Sequence, residues 1–319
     1  MALTDLTFDR WRALDRDAAY RHAREAARRA DGRLVAFDGG PHPGGFLYRA
    51  VIERGGRRFA LIPGGEVRVG FDLAGWRPLP ELLASYRTET LAGGFGFADD
   101  LVEHVARYVT PRRTVTVPTV WMAVEPEESP QPEGEDEFVA EFLARSLAAR
   151  GLRLPGPDEW EHACGAGADT LFRWGSACPL DQPPYGGVVR YVVAPGTDTP
   201  GTDTSDPQTS DPRTSGTHTP DTGAPGIPGT GDRADHRRSP NAFGLHIARD
   251  VYESEVTSDP ASVYGGDGGE AVCGGYGSFV SWLPLATANR NPGMAEFLHG
   301  PDGAEIGDDF GVRPVLDLS

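Results

Sequence analysis

Between residues 46 and 72 the chain alternates apolar and polar positions: Phe46, Tyr48, Ala50 and Ile52, then Phe59 and Leu61. Alternation with period two marks half-buried strands, because successive side chains leave opposite faces of a pleated ribbon. Arg54-Gly55-Gly56-Arg57 separates the two runs and predicts a hairpin turn. Ile62-Pro63-Gly64-Gly65-Glu66 predicts a second turn, with a returning strand over 67–71. A further β-rich run covers 112–122, carrying Val115, Val117 and Val120. Helical spacing holds elsewhere. Phe8, Trp11 and Leu14 stand at i, i+3 and i+6 and predict a helix over 5–30, with Gly32 as its stop. Residues 99–108 also read as helical. Phe138, Val139, Phe142, Leu143 and Leu147 form one apolar stripe that ends at Gly151. Pro157 opens a short helix carrying Trp160. Residues 240–319 are Gly-rich with scattered aromatics and predict ordered loops with short strands.

Two segments break the pattern. Residues 125–137 are acidic and Pro-rich and read as a solvated loop. Residues 195–236 repeat Thr, Asp, Pro, Gly and Ser, with almost nothing apolar to bury. Such a segment cannot offset its ordering entropy and predicts a disordered insertion inside the domain.

Composition narrows the function. The 319 residues carry a net charge of -17, which argues against nucleic acid or an anionic membrane surface as a partner. No run of about 18 apolar residues exists to span a membrane. Asp5, Asp9 and Arg10 precede any apolar stretch, so no secretory signal is expected. Three cysteines, an odd number, do not read as a disulfide framework. Together these point to the cytoplasm. All 30 basic residues are Arg. Without Lys there is no Schiff-base, pyridoxal-phosphate, P-loop or kinase lysine chemistry. The Arg bias itself reads as the mark of a GC-rich genome.

Several segments fall in a telling order. They are Leu61-Ile62-Pro63-Gly64-Gly65, Leu154-Pro155-Gly156-Pro157-Asp158-Glu159-Trp160-Glu161-His162-Ala163, Phe172-Arg173-Trp174-Gly175, Ser239-Pro240-Asn241-Ala242-Phe243-Gly244-Leu245, Gly274-Gly275 and Phe310-Gly311-Val312-Arg313-Pro314. In that order they resemble the formylglycine-generating enzyme, or sulfatase-modifying-factor, family over about residues 58–319. The resemblance implies an α+β, C-type-lectin-like fold of few short strands and much ordered loop. It would occupy residues 41–319, behind an N-terminal helical extension over 1–40.

Catalytic members of that family bind copper with two cysteines in the C-terminal third and oxidise a substrate cysteine with oxygen. Paired thiolates suit Cu(I). Here no cysteine lies between residues 274 and 319, and Cys273 precedes the glycines, so copper is not expected. Family members also carry an Asn-Val-Trp-Glu-Trp segment that helps hold calcium. The matching stretch is Asp250-Val251-Tyr252-Glu253-Ser254, in which Asp250 and Glu253 offer hard oxygen ligands for calcium, while Arg249 crowds the site. A second branch of the superfamily, the iron-dependent sulfoxide synthases, needs a multi-His helical domain. The first 40 residues hold only His22.

The remaining chemistry is sparse. Glu159 and His162 share a helix face, but a di-iron site needs two such helices facing each other, so a packed or exposed His is expected. Asp100 and His104, at i and i+4, read as a helix-surface pair. Cys164, Cys178 and Cys273 read as small buried hydrophobes. No Gly-x-Ser-x-Gly elbow is present. The segment 276–299 is richer, with Tyr276, Phe279, Trp282, Asn289, Arg290 and Asn291. Aromatic, Arg and Asn side chains on rigid loops are what binding surfaces use, although Trp282 by itself reads as core. The expected function is a sulfatase-modifying-factor-like domain without the copper oxidase site, binding a protein or small molecule on that segment, near Trp160 and the Phe243 loop. The alternative is a diverged metal-dependent oxidoreductase in a natural-product or cofactor pathway.

Overall fold

The predicted hairpin forms from β2 (Gly45–Arg54) and β3 (Arg57–Ile62), with Arg54 opposite Arg57. Gly55 and Gly56 turn between them at φ 58° and 76°, a left-handed pair that residues with a Cβ adopt only under strain. The structure, a computed structural model, describes residues 6–42, 45–128, 139–181, 240–247, 254–265, 271, 274–298 and 310–318. The insertion expected over 195–236 lies outside the described residues.

Around that hairpin the chain builds a five-stranded antiparallel sheet in the order β1-β2-β3-β6-β11, with β1 at Arg33–His42, β6 at Val120–Ala123 and β11 at Val315–Asp317. The single helix predicted over 5–30 is instead two, α1 (Phe8–Ala13) and α2 (Arg16–Arg29). The break has a local cause: the Asp15 carboxylate accepts from the Ala18 N–H at 2.7 Å and starts a new helix. Both helices pack on the sheet, burying Trp11, Ala19, Ala23 and Ala26 with Ile52, Phe59 and Trp121. The boundary drawn at residue 40 falls inside β1.

The strand after the second turn is β4 (Gly65–Val69), and it pairs with β5 (Arg113–Val117) in a separate two-stranded sheet. Gly64 allows this divergence, because a Cβ there would sit 2.2 Å from the Val117 carbonyl oxygen. A third sheet runs β7-β10-β8-β9, from Glu127–Glu128, Phe310–Val312, Ser254–Val256 and Val263–Gly265. Only its β8–β10 pair is parallel among the described strands. The fold is therefore mixed α and β with predominantly antiparallel sheets.

Further helices lie at α3 (Pro80–Ser85), continued by a π-helical turn Tyr86–Leu91, α4 (Leu101–Tyr108), α5 (Val139–Ala148), α6 (Pro157–Gly165), α7 (Ser278–Trp282) and α8 (Pro292–Leu298). None of the described helices is long and apolar enough to cross a membrane. The predicted helices at 99–108 and 138–147 correspond to α4 and α5. Leu143 and Leu147 are buried, and Gly151 turns at φ 68° after α5.

Helix α6 lies between the sheets, and nearly every polar side chain on it has a buried or ionic partner. Glu159 accepts from the Gly156 N–H at 2.7 Å, closing the helix start, and pairs with both terminal nitrogens of Arg153 at 2.7 Å. Asp158 and Glu161 share Arg113. The Tyr264 hydroxyl donates to Glu161 at 2.9 Å. Trp160 donates through Nε1 to Glu255 Oε2 at 2.7 Å and stacks on Tyr264 with 4.4 Å between ring centroids. Nε2 of His162 is 2.8 Å from the Pro63 carbonyl oxygen, and its ring packs edge-on against Phe8 and Phe243. Asn241 closes the helix end, donating from Nδ2 to the carbonyls of Ala163 and Cys164.

Arg313 completes the arrangement from the β10–β11 turn. It is 0% exposed. Nε and one terminal nitrogen bind the two Glu255 oxygens at 2.7 and 2.5 Å, and the remaining donors go to the carbonyls of Ala123, Val124 and His246, each at 2.9 Å. All five guanidinium N–H groups are thus used.

Removing this Arg leaves a carboxylate buried without its counterion. Arg313→Ala should lower the unfolding free energy by about 3–5 kcal/mol. Arg107→Ala, which breaks only an exposed i,i+4 pair with Glu103, should change it by less than about 1 kcal/mol. Urea titration of both variants measures the contrast, and equal losses would contradict it.

Candidate ligand-binding site

A second apolar cluster lies apart from the α6 core. It gathers Phe71, Leu82, Tyr86, Leu101, Val105 and Phe172 with Phe279 and Trp282 of α7. On its flank a pocket of about 260 Å³ opens between the loop before α4 and the segment 276–291. Phe95, Phe97, Tyr108 and Tyr276 form its aromatic lining. Ala271, Val280, Leu283 and Pro284 add apolar surface, and Asn289, Arg290 and Asn291 supply the polar edge.

Local structure sets each wall. Phe95 and Phe97 alternate with glycines in Gly93-Gly94-Phe95-Gly96-Phe97, where Gly94 and Gly96 turn at φ 71° and 75°. Phe95 is 42% exposed, unusual for so large an apolar ring, and lies 4.8 Å from Tyr276. Phe97 meets Tyr276 edge-on at 5.0 Å. Tyr276 is held from behind. The Thr90 hydroxyl donates to its carbonyl at 2.6 Å, and the Ser278 N–H donates to Glu89 at 2.6 Å. Gly277 between them, at φ 103°, leaves room for Thr90, whose Oγ1 would be 2.8 Å from an added Cβ.

The polar edge is anchored through its backbone. The Arg290 N–H donates to the Tyr108 carbonyl and the Asn291 N–H to the Val263 carbonyl, both at 2.8 Å. The Asn289 side chain is committed inward, accepting from Gly265 N–H and donating to the Leu283 carbonyl. Asn291 accepts from the Met294 N–H through Oδ1 and so caps α8, which leaves its Nδ2 without a partner among the described residues. Arg290 is exposed, and its guanidinium makes no hydrogen bond or ion pair among the described residues.

Of the six predicted ligand-binding residues, Tyr276, Asn289, Arg290 and Asn291 therefore share one pocket. Phe279 and Trp282 do not. They are 0% and 1% exposed, because α7 turns their rings into the second cluster. Trp160 and Phe243 are also not neighbours of this pocket. Both belong to the α6 core, and Trp160 lines a separate void of about 20 Å³ with Cys164, Arg173 and Glu255. That space suits one water at most. The predicted calcium ligands Asp250 and Glu253, and Cys273, lie outside the described residues. Among the described residues no group of three or more His, Cys, Asp or Glu is placed to hold a metal ion.

The Asp100–His104 surface pair is not formed. Asp100 turns back to cap α4, accepting from the N–H groups of Val102 and Glu103 at 2.7 and 3.1 Å. His104 is 0% exposed, and neither ring nitrogen has a hydrogen-bond partner among the described residues. It sits directly behind the pocket wall, about 5.1 Å from each of the rings of Tyr86, Phe97 and Tyr108. Burial, with a smaller contribution from Arg107, lowers its pKa to about 4, so it stands as a neutral part of the aromatic packing. Cys164 and Cys178 are buried, as expected, and burial pushes the Cys164 thiol well above its ordinary value.

The sequence reasoning missed three of the four aromatic lining residues, Phe95, Phe97 and Tyr108. Phenylalanines set between glycines were the available signal, since such a loop can bury neither ring by itself. It also missed Glu255, two positions beyond the residue chosen as the motif glutamate. The chain matches no protein-family model, no curated protein and no solved structure.

Both buried histidines should make the protein acid-sensitive. Burial lowers His162 to about 4 as it does His104, whereas an unfolded His titrates near 6.5. The unfolded chain then binds more protons below about pH 6.5, so stability falls as pH drops from there toward about 4. Each group contributes on the order of 3 kcal/mol over that window. His104→Phe should keep or raise stability at neutral pH, because it removes two unpaired polar atoms, and should flatten the acid slope by about one proton. Urea unfolding between about pH 7 and pH 4.5 reads both. A variant with an unchanged slope would contradict the assignment.

Proposed function

We propose that this chain is a ligand-binding module of the formylglycine-generating-enzyme type, built on that family's C-type-lectin-like fold and without its copper oxidase chemistry. The ordered motifs support the framework half of this reading. Pro63, Trp160 and Asn241 meet on α6, and Arg313 reaches it through Glu255, so four of the six resembling segments serve one structural hub. The chain has no thiol after Cys273, which removes a soft pair for Cu(I) from the C-terminal third.

One observation carries the binding half. Tyr276, Asn289, Arg290 and Asn291 line a single concave pocket with three further aromatic rings and four apolar side chains. Small-molecule sites combine mostly apolar walls with a few fixed polar groups, and this pocket has that composition. It also has at its edge a donor set that is unpaired among the described residues, which a ligand can satisfy at little cost in broken protein contacts. Its volume of about 260 Å³ favours a small molecule over a protein segment.

Ligand-observed NMR with a mixture of small aromatic and aliphatic fragments tests the pocket. Aromatic fragments should bind the full chain, and Phe97→Leu with Tyr276→Leu should weaken them about tenfold or more at unchanged fold, by loss of ring contacts. Binding that survives the double substitution would place the site elsewhere.

A further inference from the structure

We infer that the pocket takes a small aromatic carboxylate, a ring held between the aromatic walls with its acid group on Arg290 and Asn291. This rests on the reading of the pocket as a ligand site and adds the chemistry of the ligand. The first ground is charge. The protein carries 47 acidic residues against 30 arginines, yet Arg290 is the only charged side chain among the described pocket-lining residues. A cationic ligand would meet that guanidinium, so the aromatic walls do not act as a cage for ammonium groups, although rings of this kind can do so. An anion instead gains a directional partner, because the planar fork of Arg matches the two oxygens of a carboxylate.

The second ground is the number of donors. Asn289 is spent on Gly265 and Leu283, and the Asn291 carbonyl oxygen on α8. What remains is one guanidinium and the Asn291 Nδ2, which face no acceptor among the described residues. That set satisfies a carboxylate. It falls short of the three oxygens of a phosphoryl group, which the sites that bind phosphate meet with several backbone N–H groups.

The third ground is the shape of the apolar part. Phe95 and Phe97 approach Tyr276 at tilted and perpendicular angles, 59° and 78°, so the rings do not fill the space between them by stacking on each other. A guest ring can add edge-to-face contacts there, at centroid separations of about 4.5–7 Å.

Isothermal titration of the full chain with 3-phenylpropionate, 3-phenylpropionamide and 3-phenylpropylamine tests the inference, with Arg290→Ala and Phe97→Leu as variants. The acid should bind about tenfold or more tightly than the amide, and the amine should not bind. Arg290→Ala should erase the preference for acid over amide, and Phe97→Leu should weaken both compounds together. Acid and amide binding equally, with both still sensitive to Phe97→Leu, would overturn the carboxylate assignment while leaving the pocket as a ligand site. Failure of all three probes to bind would overturn both. A preference that persists in Arg290→Ala would also overturn it, since another residue would then read the charge.

Discussion

A carboxylate is buried beside an indole and a guanidinium at the centre of this protein, and the rest of the fold is arranged to make that tolerable. Glu255 loses its water, and the loss is offset by three hydrogen bonds from Trp160 and Arg313. Arg313 in turn needs carbonyl acceptors, which it finds at the end of β6 and in the 246 loop. Each partner comes from a different part of the chain, so the ion pair can form only when α6, β8, β6 and the β10–β11 turn are all in place. Buried ion pairs are poor sources of net stability, but breaking one is expensive, and that asymmetry favours one arrangement of these elements.

The hub and the pocket are physically connected. Trp160 stacks on Tyr264, and the neighbouring Gly265 donates its N–H to Asn289. Asn289 precedes Arg290, whose backbone is tied to the end of α4. The pocket edge is therefore positioned from the hub side, while the Phe95–Phe97 loop and Tyr276 belong to the second cluster. Binding residues on a rigid segment facing a Gly-rich loop is an arrangement that keeps polar geometry fixed and lets apolar walls adjust.

Local features were legible in the sequence and long-range ones were not. The Arg54–Arg57 turn followed from two glycines, and the α6 start from Pro157, because both are decided within a few residues. The split between α1 and α2 was written in Asp15, a capping residue inside an apolar period. His104 was misread although Leu101, Val105 and Tyr108 surround it at helical spacing, which puts it on the buried face. The i,i+4 spacing to Asp100 points instead to a surface pair, but Asp100 is engaged by backbone N–H groups. Phe279 looked like a contact residue by type, but α7 presents it inward. The pairing of β4 with β5, as at Val67 and Val115, and the approach of Glu255 to Arg313 depend on residues far apart in the chain, which no local pattern records.

Native-state hydrogen exchange tests most directly whether the fold depends on the α6 hub. The account predicts that amides of residues 160–164 in α6 and 121–123 in β6 exchange slowest and only through global unfolding, while those of 93–97 and 274–278 open at much lower free energy. Exchange from α6 through a local opening, at rates comparable to the Phe95 loop, would contradict it.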